Sequence, residues 1–290
     1  MVWIDLLDQH PFLLYGITAL FALAIGSFLN VVIHRLPRIL EDDWRSECSQ
    51  AAKQEHLEQN PRMTLSRPGS HCPHCGHALR PLENIPLLSY LFLRGGCSAC
   101  GAPIGLRYPL VEAATAVISI LVVWRFGVAW ESAAALVLTW GLIALAVIDY
   151  DTQLLPDAII LPLLWIGLLA SLADWFTDSR SAILGAATGY ISLWAVFQLF
   201  RLVTGKEGMG YGDFKLLALF GAWLGWQFLP QVILLSAVTG AVVGTLLILL
   251  RGHDRQVPIP FGPYLAAAGW ISLMWGDTIN QAYMHWSGLG

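Results

Sequence analysis

Long stretches free of Asp, Glu, Lys and Arg alternate with short polar segments along the 290-residue chain. A bilayer-spanning helix needs about 20 apolar residues. Stretches of that order run over 9–34, 108–124 (with one acid, Glu112), 132–148, 158–173 and 181–200. A longer uncharged block covers 216–250; as one helix it would measure about 52 Å, too long for a hydrocarbon core of about 30 Å. Gly221, Gly225 and Pro230 offer a break, so the block is predicted to be two helices with the turn near Pro230. A last stretch covers 256–276. The pattern predicts an all-α polytopic membrane protein of about eight transmembrane helices. It divides into a first helix (1–34), a polar cytoplasmic insert (35–107) and a seven-helix membrane domain (108–290).

Composition excludes the soluble alternative. Apolar residues make up 56% of the chain and charged ones 12%, with a mean hydropathy of +0.61, whereas soluble domains carry about 25% charge. Thirteen Trp and twelve Phe suit a protein with two membrane–water interfaces. The net charge of −4 gives no reason to expect a nucleic-acid partner. Placement of the basic residues orients the chain. If 35–107 is cytoplasmic, that side receives 14 Lys and Arg and the other side only Arg125 and Arg180, a positive-inside bias. Both termini are then expected outside the cytoplasm. Met1–His10 has two Asp and no Lys or Arg, so the first span is expected to stay as a helix rather than be removed as a signal peptide.

The insert holds four of the five cysteines, as Cys72-Pro-His-Cys75, twenty-one residues, then Cys97-Ser-Ala-Cys100. Paired Cys-x-x-Cys units supply the four thiolates of a tetrahedral zinc site, and a reducing cytosol argues against disulfides. A Gly follows each second cysteine, where a turn brings backbone N–H groups towards the sulfurs. A closed four-cysteine site is structural, with no open position for substrate. Two other readings stand beside it: four unliganded thiols, or one of His71, His74 and His77 replacing a cysteine. Cys48 reads as a spare thiol, and Glu41–Arg62 as a surface helix.

Ionisable groups at the ends of spans are costly and default to functional candidates. Asp149-Tyr-Asp151, with Leu155-Pro156-Asp157, closes the third span; Gly208-Met-Gly210-Tyr-Gly212-Asp213-Phe-Lys215 opens the sixth. The topology puts Asp149 and Asp213 at one membrane face. Two carboxylates sharing a site divide the work, one ionised as base and one protonated as acid. Gly210 and Gly212 permit close backbone approach or a positive φ. Lys215 either pairs with an acid or snorkels to the lipid headgroups, and the second is the expectation. The plain alternative is that these acids cap helices or pair with Lys and Arg, which fits Asp157 best; Asp151 is ambiguous. Glu112 can reach the site or a backbone partner.

These signatures in this order resemble the type IV prepilin peptidases, the bifunctional leader peptidase/N-methyltransferases of type IV pilus and type II secretion systems. Gly26-Ser-Phe-Leu-Asn-Val-Val-Ile-His-Arg-Leu-Pro37 is similar to that family's first-span signature. The cysteine pairs, Asn84-Ile-Pro86 and Arg94-Gly95 resemble its insert, and Arg107-Tyr-Pro-Leu-Val-Glu112 the start of its second span. Asp149 to Asp157, Gly210-Tyr-Gly-Asp213 and Pro260-Phe-Gly-Pro263 complete the match. The resemblance implies a GxGD-type aspartyl protease of the bacterial inner membrane with Asp149 and Asp213 as its catalytic pair. Its substrates would be prepilins and pseudopilins, cut at the cytoplasmic face after a Gly that ends a basic leader. It also implies N-methylation of the new N-terminus from S-adenosylmethionine, though no glycine-rich fingerprint places the donor. Acids such as Asp151, Asp157 and Glu207 are expected to attract the leader. Homo-oligomerisation is compatible with all of this. Competing readings are a peptidase without methylation, a polytopic transporter and a zinc-bound scaffold; a zinc metalloprotease lacks His-Glu-x-x-His.

Overall fold

The structure, a computed structural model, describes residues 10–51, 63–206, 208–251 and 260–287. Helices α1 (Pro11–Ala51), α2 (Leu88–Phe92), α3 (Arg107–Phe126), α4 (Trp130–Thr152) and α5 (Asp157–Ala170) are followed by α6 (Ser179–Thr204), α7 (Tyr211–Leu224), α8 (Leu229–Arg251) and α9 (Gly262–Ser287). Among the described residues there is no strand, only two isolated bridges in the cysteine region. Helices occur at all eight expected places. Five segments are long and apolar enough to cross a membrane: α1, α3, α4, α6 and Trp226–Leu246; Asp157–Ala173 is a shorter apolar one. The chain is an all-α polytopic membrane protein. It divides into two compact units, Met1–Val128 and Ala129–Gly290.

In the first unit α1 packs along α3. Gly26 makes this possible, because a Cβ there would lie 2.8 Å from Glu112 Cα; small residues let membrane helices approach backbone to backbone. One turn on, Asn30 Nδ2 donates to the Tyr108 carbonyl at 3.1 Å. The outer face of α1 is bare, with Phe12 91% exposed, as expected of a surface that meets lipid. The expected separate helix over 41–62 is instead, as far as Ala51, a continuation of α1. Pro37 lies inside the helix, where the missing N–H removes one bond without ending it. The Arg45–Glu41 pair at 2.7 Å then supports the exposed end. Residues 52–62 lie outside the described residues.

The second unit is built around α7. Eleven of its fourteen residues are buried, the pattern of a helix enclosed on every side. Glycines set its distance from its neighbours. Gly185 of α6 and Gly221 of α7 meet backbone to backbone, and a Cβ on Gly189 would lie 2.8 Å from the Leu217 carbonyl oxygen. On another side the Trp223 indole, beside Gly167 of α5, donates to the Leu163 carbonyl at 2.8 Å. Phe214 stacks edge-on with Tyr190 and tilted against Phe197, with centroids 5.9 and 5.6 Å away. The break after α7 falls at Gly225, with φ +83, and not at Pro230. Glycine takes a positive φ without steric cost, whereas Pro230 sits in the first turn of α8, where its missing N–H has no helical partner anyway.

Because Gly185 has no room for a side chain, Gly185→Leu overpacks the α6–α7 contact. The expected loss is about 1–3 kcal/mol, seen as a lower melting temperature of the detergent-purified protein; an unchanged melt would show that this contact is not tight.

Candidate active site and metal centre

The two Cys-x-x-Cys turns fold alike. The Cys72 N–H donates to the His77 carbonyl and the Cys97 N–H to the Ala102 carbonyl, at 2.9 and 2.8 Å. Gly76 and Gly101 each donate back to the first cysteine's carbonyl at 2.9 Å, and both have φ near +70. Bridges pair His71 with Ala78 and Gly96 with Pro103 at matching positions. The loops thus turn their own amides onto the sulfurs. The N–H groups of Cys75 and His74 pull the Cys72 thiol down to about 7, and those of Cys100 and Ala99 lower Cys97.

The four sulfurs lie within 4.8 Å of one another, with Cys72–Cys100 at 3.9 Å and Cys75–Cys97 at 4.0 Å. A tetrahedral four-thiolate cage with bonds of about 2.3 Å has edges of about 3.8 Å, so the cluster can hold a metal ion. Four sulfurs this close do not all ionise without a cation among them. Two of the three nearby histidines are engaged elsewhere. His71 Nδ1 lies 2.9 Å from the Gly69 carbonyl, and His77 Nε2 3.2 Å from Glu83. Glu83 in turn is held down to about 2 by hydrogen bonds from Ser98 and the Arg80 N–H. Cys48 is exposed and unpaired with sulfur.

In the second unit three helix ends converge on the acids. Asp149 lies in the last turn of α4 and is 5% exposed; Asp213 is the third residue of α7 and is 6% exposed. They are close enough to interact electrostatically. After Asp149 the chain turns at Gln153 (φ 54), whose N–H donates to the Asp149 carbonyl at 2.9 Å. The third end is α9, whose first residue, Gly262, donates its N–H to Asp149 Oδ2 at 3.0 Å; a Cβ on Gly262 would lie 2.6 Å from that oxygen. Neither Gly210, with φ −80, nor Gly212 uses a positive φ. Gly212 serves close approach instead, since a Cβ there would come within 2.6 Å of Leu155.

Among the neighbouring charges only Lys215 departs from the expectation. Lys215 does not snorkel: its ammonium lies 2.7 Å from both oxygens of Asp157. Asp157 therefore pairs rather than caps, at the first position of α5. Glu112 has the backbone partner: it is 8% exposed and accepts the Leu87 N–H at 2.9 Å. Asp151 is exposed, and Glu207 lies outside the described residues.

Comparison with known proteins follows the same division. Residues 20–126 match the bacterial peptidase A24 N-terminal domain, and 136–245 the type IV leader peptidase family. A prepilin leader peptidase/N-methyltransferase of Pseudomonas aeruginosa is 54% identical over 288 residues, covering 99% of each chain. The proteins of that name from Aeromonas hydrophila and Legionella pneumophila are 54% and 44% identical, over at least 96% of each chain. The chain belongs to the prepilin leader peptidase family. No solved structure matches it. Membership accounts for the order of the motifs; the geometry adds what two of them do. Pro260-Phe-Gly-Pro263 delivers the amide on Asp149, and Asn84-Ile-Pro86 precedes Leu87, whose φ of 56 turns its N–H onto Glu112.

The Lys215–Asp157 pair had no signal in a single sequence, since 58 residues separate the partners. It is partly exposed, at 31% and 51%, and such pairs contribute about 0.2–1 kcal/mol. In a double-mutant cycle read by thermal melting, Asp157→Asn and Lys215→Met are expected to couple by that amount. Strictly additive effects would show that the two groups do not hold one another.

Proposed function

We propose that the protein removes the basic leader from type IV prepilins and pseudopilins and then N-methylates the new N-terminus. Asp149 and Asp213 form the protease dyad. The observation that carries this reading is the convergence of two buried carboxylates at the ends of α4 and α7, in a chain whose relatives bear both activities in their name. In the dyad one carboxylate takes a proton from the attacking water while the other donates one to the scissile carbonyl oxygen. Gly262 fixes one oxygen of Asp149, so that carboxylate meets the substrate in a set orientation. S-adenosylmethionine supplies the methyl group when bound. The four-cysteine cluster holds zinc as a structural ion, since all four positions are filled by protein.

The same reading sets the protein in the bacterial inner membrane with residues 35–107, Asp149 and Asp213 on the cytoplasmic side and both termini periplasmic. Fourteen of the 16 basic residues then face the cytoplasm. A prepilin is an apolar helix with a charged leader, so the bilayer presents its cleavage point at this interface.

The deciding experiment is cleavage of a prepilin with a basic leader ending in Gly by the detergent-purified protein, with S-adenosylmethionine present and products weighed by mass spectrometry. Asp149→Asn and Asp213→Asn are each expected to lower cleavage by roughly 100- to 10,000-fold. Wild type should yield a product one methyl group heavier than the cut peptide. Normal cleavage by either variant, with its melting temperature unchanged, removes that residue from the dyad, and cleavage without added mass leaves a peptidase alone. Metal analysis of the same sample is expected to give one zinc per chain, reduced in Cys72→Ser; wild type without zinc would overturn that assignment.

A further inference from the structure

The first unit contains a cavity of about 490 Å³ between the middle of α1, the start of α3 and the two cysteine turns. Leader cleavage as proposed does not use it, and the four-cysteine cluster touches it only through Cys72 and Cys97. We propose that it is the binding site for S-adenosylmethionine; the proposal rests on the methylation reading above and adds the place.

Its size and lining fit the ligand. Small-molecule sites enclose about 300–1,000 Å³ and combine mostly apolar walls with a few placed polar groups. S-adenosylmethionine brings a flat adenine, a sulfonium that no deprotonation can neutralise, and an amino acid end with its own carboxylate. The cavity wall offers a counterpart to each. Tyr90 and Tyr108 line it, aromatic residues of the kind on which a flat heteroaromatic ring packs. Glu112 contributes a carboxylate that is only 8% exposed and is reached by the Leu87 N–H and the Ser27 hydroxyl, neither of which carries a charge. A carboxylate so buried is best satisfied by a cation, and a sulfonium provides one without needing a hydrogen to donate. Arg38, from α1, lines the same cavity and supplies a guanidinium for the ligand's carboxylate. A lipid headgroup would bring a phosphate and a long apolar tail, and gives no use to the two aromatic rings. Cys72 and Cys97 also border the space, so the metal cluster shapes its wall.

The test uses the full-length protein in detergent and equilibrium dialysis with radiolabelled S-adenosylmethionine, repeated with S-adenosylhomocysteine, which lacks the sulfonium charge. Glu112→Gln keeps the volume and an acceptor for Leu87 but loses the charge. It is expected to weaken S-adenosylmethionine at least about tenfold, about 1.4 kcal/mol, and to change S-adenosylhomocysteine by less than about threefold. Ser89, on the cavity wall, is replaced by Trp to fill the space. Ser89→Trp is expected to abolish binding and methylation while prepilin cleavage and the bound metal persist. Photocrosslinked donor should map to peptides within 1–128. Label confined to peptides of 129–290, wild-type binding in Ser89→Trp, or equal effects of Glu112→Gln on both ligands would overturn the site. A wild-type protein that neither binds the donor nor methylates would instead overturn the methylation reading. If Ser89→Trp does not fold, the ratio of the two ligands in Glu112→Gln decides alone.

Discussion

The second unit depends on keeping two carboxylates inside an apolar helical assembly. A charged side chain deep in such surroundings is costly, and proteins tolerate it only with partners that compensate. Here the compensation comes from backbone. Three helices stop or start at one place, and helix ends are where backbone groups lack internal partners. The first amide of α9 is such a group, and it is spent on Asp149. Moving the break in any of these helices by a turn would separate the amide from the acid or one acid from the other. This explains why glycines cluster there. Gly212 admits Leu155 and Gly262 admits Asp149, and in each case a single methyl group would collide.

The first unit answers a different problem. Its insert is short on apolar residues and cannot build a core of its own, so the two knuckles draw their order from four sulfurs meeting at one point. The knuckles repeat one hydrogen-bond scheme residue for residue. Glu83 and the Leu87 turn then tie the insert to its surroundings, Glu83 through Arg80, Ser98 and His77, Leu87 through Glu112 on α3. A deep carboxylate on a spanning helix thus serves the insert.

Much of this was legible in the sequence because hydrophobic length and cysteine spacing are local signals. Eight helices lie where uncharged runs predicted them, and the four cysteines meet as their spacing required. What was not legible depended on distant partners. Lys215 pairs with a residue 58 positions away, and nothing in its neighbourhood distinguishes an ion-paired lysine from a snorkelling one. The break after α7 was misplaced because Pro and Gly both punctuate a helix; only backbone geometry shows that Gly225 turns the chain while Pro230 starts the next helix. The continuation of α1 past Pro37 has the same origin, since one lost amide bond weakens a helix without fixing where it ends. Gly262 was visible as a motif residue but not as a donor, because a backbone amide has no side-chain signature.

The length of α7 carries one further consequence for the chemistry. Fourteen residues make a helix of about 21 Å, shorter than a hydrocarbon core of about 30 Å. Its far end is buried to Leu224, yet in its first turns Asp213 is buried while Lys215, two residues on, is partly open and bound to the more exposed Asp157. The boundary between protein interior and solvent therefore crosses the opening turns of this helix. The dyad proposed for Asp149 and Asp213 needs that placement. Far inside the assembly the carboxylates would have no water to activate, and fully exposed they would lose the low-dielectric setting that makes two neighbouring acids share a proton. The ion pair holds the start of α7 to the start of α5 and so keeps the wet edge of the helix beside the acid it must supply.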